Sequence, residues 1–132
     1  MTATDHPLHA ALRACASGAF PAEAGVGLLI SHDTWLHRDD FTGPFVDTGV
    51  SITDGTTKMA QIDWPAAITA LNAGNLPCSG GERRMLRLAA SIADGIPVGL
   101  RDTLTGIDHR NVQLVVAAIL HASGQRPQPG IP

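Results

Sequence analysis

Apolar positions along the chain recur first at helical spacing, then at strand spacing, then at helical spacing again. Leu8, Leu12 and Cys15 stand at i, i+4 and i+7 behind Asp5, a capping residue, and Pro7 in the tolerated opening turn. This pattern predicts a first helix that stops near Gly18. Pro21 opens a second, carried by Leu28, Leu29 and His32 to about Leu36. Within it Gly25 and Gly27 each weaken the helix by about 1 kcal/mol relative to Ala. Over residues 45–62 the period becomes two: Val46, Thr48, Val50 and Ile52 alternate with Asp47, Gly49, Ser51 and Thr53 before Asp54-Gly55, a two-residue turn signal. The segment reads as a β-hairpin with Val50 opposite Met59 and Ile52 opposite Thr57. A lone hairpin is marginal in water, so its semi-apolar face has to pack on helices.

Asp63 caps a third helix with Trp64, Ile68 and Leu71 in one stripe, ended by Gly74. Ser79 with Glu82 three residues later forms a capping box for a fourth, whose Met85, Leu88 and Ile92 face inward and whose stop is Asp94-Gly95 before Pro97. Asp108 caps the last helix. Because Leu114 to Leu120 is apolar without interruption, that helix is expected at the centre of the core, with Gly124 closing it. The expected fold is mainly α: about five helices in one compact domain, residues 1–124, with one small β-hairpin at about 45–62. A flexible Pro-rich tail is expected over 125–132.

At 132 residues and 44% hydrophobic content the chain has the makings of one domain that needs neither metal nor disulfide for stability. Nine basic against twelve acidic residues give a net charge of -3, a poor match for nucleic acid. The charge is uneven: three basic and eight acidic residues precede position 67, whereas six basic and four acidic follow. The two halves therefore attract each other or a partner. Cys15 and Cys78 are far apart in sequence, and no basic segment followed by an apolar core opens the chain, so reduced thiols in the cytoplasm are expected. The seven-residue apolar run from Leu114 to Leu120 falls far short of the roughly 20 residues of a membrane-spanning helix, so a soluble protein without membrane association is expected.

The segment Cys78-Ser79-Gly80-Gly81-Glu82-Arg83-Arg84 admits three readings. Its C-x5-R spacing resembles the phosphate cradle of cysteine-dependent protein phosphatases, which also place Ser after the Cys and Gly two residues further. The resemblance implies an anion held by backbone N–H groups around Ser79, Gly80 and Gly81 and gripped by Arg84, with Cys78 attacking as a thiolate. Pro77 and Met85 depart from that pattern, and Glu82 sets a negative charge inside the cradle. The same stretch, followed by Leu100-Arg101-Asp102 and Gly106-Ile107-Asp108, is similar to the signature and later motifs of ABC-type ATPases. In those proteins the serine and glycines contact a nucleotide γ-phosphate across a dimer. No G-x-x-x-x-G-K-S/T loop accompanies it here, and Thr103 stands where a Glu would follow the aspartate. The third reading is a helix cap worth about 1 kcal/mol, which explains Ser79, Gly80, Gly81 and Glu82 together.

A second candidate is His32, Asp33 and His37, a density of imidazole and carboxylate that suits a divalent metal. His32 and His37 are about 140° apart on a continuous helix and converge only if the helix ends between them. His121 reads as a satisfied core histidine, and Cys15 as a small buried hydrophobe. Arg83, Arg84 and Arg87 form a basic cluster suited to an acidic partner such as the Asp33 to Asp47 surface of another copy. No cofactor is implied. The reading that absorbs most of the chain is a small cytoplasmic interaction or accessory protein that is not an enzyme. It is expected to form a homodimer, because the last helix together with Trp35, Phe45 and Trp64 offers more apolar surface than five helices consume.

Overall fold

A computed structural model describes residues 6–125. In chain order it contains α1 (Pro7–Ala16), α2 (Phe20–His32), a 3-10 turn at Trp35–His37, α3 (Asp39–Phe45), β1 (Val46–Val50), β2 (Lys58–Ile62), α4 (Trp64–Asn72), α5 (Gly80–Asp94), α6 (Leu100–Leu104) and α7 (His109–Ala122). The mainly α class with one hairpin is the one the apolar pattern predicts. Its five longer helices are those expected from the sequence, and two short ones, α3 and α6, are added. Asp5 and most of the expected tail lie outside the described residues. At the start of α1 the cap is His6, whose Nδ1 accepts the Leu8 N–H at 3.2 Å.

α2 is the axis of the fold. Ala24, Gly25, Val26, Leu28, Leu29 and His32 are buried around its circumference, so it has no solvent stripe of the usual width. It packs against α1, α5 and α7. Against α5 the approach is close enough to require glycine: a Cβ on Gly25 would lie 2.4 Å from Ala93 Cβ and 2.8 Å from the Ala89 carbonyl oxygen. Against α7 the pairing is antiparallel. Arg110 donates to the Ser31 carbonyl at 2.9 Å at one end, and His121 Nε2 meets Glu23 Oε1 at 2.7 Å at the other.

The second helix ends at His32 rather than near Leu36. Asp33 takes the left-handed conformation at φ 64, and the chain then tucks Trp35 fully into the core. Trp35 fixes that break: its Nε1 donates to the Glu82 carbonyl at 3.0 Å, Phe41 packs against it with ring centroids 5.5 Å apart, and the Arg38 guanidinium covers its ring at 4.6 Å. A continued helix would leave this large apolar ring without those neighbours.

The hairpin forms, one residue out of the expected register. Val50 pairs with Lys58 and Gly49 with Met59, and Ser51 closes the connection by donating to the Thr57 carbonyl at 2.8 Å. The tight Asp54-Gly55 turn is replaced by a wider loop in which the Asp54 carboxylate accepts the Thr56 and Thr57 N–H groups at 2.9 Å each, a set of bonds that a two-residue turn does not allow. Ala60 and Ile62 are buried and β2 packs on α1, while Val50 and Ile52 are exposed. The remaining caps follow the sequence: Asp63 accepts from Ala66 at 3.1 Å, the Ser79–Glu82 box is complete, and Asp108 accepts from Asn111 at 2.8 Å. No helix among the described residues is long and apolar enough to cross a membrane.

Candidate functional site

The last helix departs most from expectation, and it supplies the candidate site. α7 is not central. One face, built from Asn111, Val115 and Ala118, is buried, chiefly against α2. A second apolar row is left in solvent: Val112 is 39% exposed, Val116 51%, Ile119 55% and Leu120 39%. At 100° per residue these four positions span about 100° of the helix surface, centred about 125° from the buried row. Val112, Val116, Ile119 and Ser123 stand four, three and four residues apart, the spacing of a coiled-coil seam. The patch they form is on the order of 300 Å², the size of the largest apolar patch on a typical monomer and often a functional one. Between Asn111 and Gln125 the chain carries no Asp, Glu, Lys or Arg, so nothing on the helix repels an apolar surface laid against it. The other apolar groups once counted as available are consumed inside: Trp35 and Trp64 are buried and Phe45 is partly so.

At the entry to α5 the sequence-nominated loop is ordered as a cap. Glu82 N–H donates to Ser79 Oγ at 3.1 Å, and the Glu82 carboxylate accepts the Ser79 N–H at 2.8 Å. That carboxylate stands where an incoming anion would be held. Arg84 folds back along the helix start, its Nη1 3.1 Å from where a Cβ on Gly80 would lie, so the structure does bring Gly80 and Arg84 together. Gly81 lies beside Ser79. Cys78 is partly buried just before the cap, next to Pro77, whose carbonyl accepts from Arg38 at 2.8 Å. Arg38 in turn chelates Asp40 at 2.9 and 2.6 Å, which raises the guanidinium pKa and lowers that of the carboxylate. Arg83 is exposed and Arg87 partly buried on the outer side of α5.

The end of α2 turns His32 away from Asp33 and His37. His32 turns inward, and burial pushes its pKa down, with Arg110 adding to the effect. Asp33 stays outside and binds His37 Nε2 at 2.6 Å, a hydrogen bond that lowers the carboxyl pKa. Among the described residues no group of three or more His, Cys, Asp or Glu side chains is set to hold a metal ion. Cys15 is exposed rather than buried, because it lies on the outer side of α1 while Ala11, Leu12 and Ala16 take the core positions. His121 is also exposed rather than in the core, and its partner is Glu23, 98 residues away, which no local spacing could indicate. The uncovered row on α7 had a signal in the sequence: four apolar side chains more than a helix with one buried face requires.

No protein-family model matches the chain, and no curated protein or solved structure matches it.

Proposed function

We propose that this chain is a small non-catalytic interaction protein that pairs with a second copy of itself, α7 against α7, about a two-fold axis. The observation that carries this reading is the solvent-exposed row of Val112, Val116, Ile119 and Leu120 on a helix whose other face is already buried. A two-fold interface sets the same patch against itself, and an uncharged apolar seam meets no like charge there. Antiparallel pairing also opposes the two helix dipoles. Covering the patch on both copies removes about 600 Å² from water, about 15 kcal/mol gross at roughly 25 cal/mol per Å². Association itself costs about 4 to 15 kcal/mol, and a cost of about 7 kcal/mol, inside that range, leaves the roughly 8 kcal/mol of micromolar self-association. The two free thiols, Cys15 and Cys78, suit a reducing cytoplasm.

Sedimentation equilibrium or light scattering over a concentration series tests the reading. The native chain is expected to move from monomer to dimer in the micromolar range, and Val116→Glu is expected to remain a monomer whose Tm equals that of the native chain at concentrations below the dimerisation range. A native chain that stays monomeric at high micromolar concentration, or a Val116→Glu variant that dimerises as the native chain does, refutes it.

A further inference from the structure

We infer that the outer side of α5 and α6 is a docking surface for an acidic amphipathic peptide of a partner protein. Arg38 holds Asp40, and Arg110 holds the Ser31 carbonyl. Among the described residues, the guanidinium groups of Arg83, Arg84, Arg87 and Arg101 have no hydrogen bond or ion pair. The cations without a partner are thus gathered on two adjacent helices. On α5 they work against the helix itself. Arg83 and Arg84 stand near the positive end of its macrodipole, and Arg87 follows them at i+4 and i+3, a spacing at which like charges repel. The three fall within about 100° of the helix surface. Over residues 80–87 and 100–104 the only carboxylates are Glu82 and Asp102, and Glu82 is taken up by the Ser79 N–H. A surplus of two positive charges remains.

α6 supplies the apolar part. After α5 ends at Asp94 the chain returns to the start of that helix: a Cβ on Gly106, just past α6, would lie 3.8 Å from the Arg84 guanidinium. α6 packs on α5 with Thr103 buried, while Leu100 and Leu104, one turn apart, are 56% and 44% exposed. Cations and leucines therefore share one surface. A partner's carboxylates would give attraction and register there, and its apolar side chains the contact area. The net charge of -3 opposes nucleic acid. A second copy fits poorly, because on its Asp33 to Asp47 surface Asp33 is bound to His37 and Asp40 is chelated by Arg38.

The probe is a fluorescein-labelled synthetic peptide of about 12 residues with glutamate and leucine at helical spacing, followed by anisotropy as the full chain is added at low salt. Saturable binding with a Kd on the order of 100 μM is expected, weakened several-fold in about 0.3 M salt. Arg83→Glu with Arg87→Glu is expected to lose at least about tenfold, and Leu100→Ser with Leu104→Ser about fivefold. Glutamate suits this end of α5 and both leucines are exposed, so the variants stay folded, which their thermal transitions check. The surface does not depend on the pairing of α7, and Val116→Glu is expected to bind the peptide as the native chain does. Absence of saturable binding, or an arginine variant that binds as the native chain does, refutes the site. Loss of binding in Val116→Glu places the peptide on α7 and refutes it too. Undiminished binding by the leucine variant overturns the amphipathic assignment. Phosphatidylserine vesicles or oligothymidylate bound more tightly than the peptide overturn it in favour of lipid or nucleic acid.

Discussion

Replacing Gly25 by alanine tests the central packing of the fold. The added methyl would stand 2.4 Å from Ala93 Cβ and 2.8 Å from the Ala89 carbonyl oxygen. Carbon atoms in contact sit about 3.5 to 4.0 Å apart, so α2 and α5 must separate locally by about 1 Å or more. Neither obstacle is the far end of a flexible side chain: one is a Cβ fixed to its backbone and the other is backbone itself. Overpacking of this kind costs about 1 to 3 kcal/mol, with the upper half of the range applying to so rigid a site. Alanine returns about 1 kcal/mol through helix propensity. The net expectation is a loss of about 1 to 2 kcal/mol, or roughly 3 to 10 °C in Tm for a domain of this size. Gly27→Ala, two residues along the same helix, has open space around its Cβ and is expected to gain about 1 kcal/mol. Urea and thermal denaturation of both variants supply the comparison, and Ala93→Gly in the Gly25→Ala background is expected to recover part of the loss. A Gly25→Ala chain at least as stable as the native one would show that the two helices are not in the contact described.

Two further outcomes follow from the electrostatics and the caps. His32 and His9 both have pKa values lowered by burial from the ordinary 6.5. The unfolded chain therefore binds their protons more readily: the stability they contribute is complete above about pH 6.5 and is lost as pH falls through their lowered native values. Asp33, Asp40 and Asp54 have lowered carboxyl values, Asp54 down to about 2 through its bonds to Thr57 and Thr56, so their contribution is lost only below 3.8. Tm against pH is expected to decline in two separate windows, and His32→Gln is expected to flatten the upper one; an unaltered upper decline would contradict the burial of a neutral imidazole. Ser79→Ala and Asp108→Ala each remove a cap and are expected to cost about 1 kcal/mol, with the double variant additive to within about 0.5 kcal/mol because the two helix starts do not share a bond. Chemical denaturation of the three variants checks this.

What was legible in the sequence was local chemistry. Asp63, Ser79 with Glu82, and Asp108 each mark a helix start through a side chain that bonds its own backbone within three residues, so the signal and the bond lie in the same short stretch. What was not legible depended on residues far away. The second helix breaks after His32 because Trp35 finds Glu82 and Phe41, and Glu82 is 47 residues distant. The hairpin register shifts by one because Asp54 takes two backbone N–H groups into its carboxylate, where a type I′ turn would have used only the chain. α3 and α6 are too short to show a period. α7 is the instructive case: an apolar run says that a surface avoids water, and it does not say whether the same molecule or a second one covers it. The capping reading of the Cys78 to Arg84 loop rests on bonds within three residues, whereas the spatial separation of His32 from His37 rests on the distant anchoring of Trp35.

The position of α2 in the chain sets a timetable for synthesis. This helix is complete by residue 32, yet two of the surfaces that enclose it are α5 and α7, the latter ending at Ala122. At about 5 to 20 residues per second, roughly 5 to 20 s separate the emergence of the axis from that of its last wall. During that interval a helix apolar over more than half of its circumference, Val26, Leu28 and Leu29 among its residues, has α1 alone of the three helices that come to pack on it. Synthesis thus delivers this largely apolar helix well before most of its cover, and the face that α5 and α7 will close stands open to water until the later helices arrive.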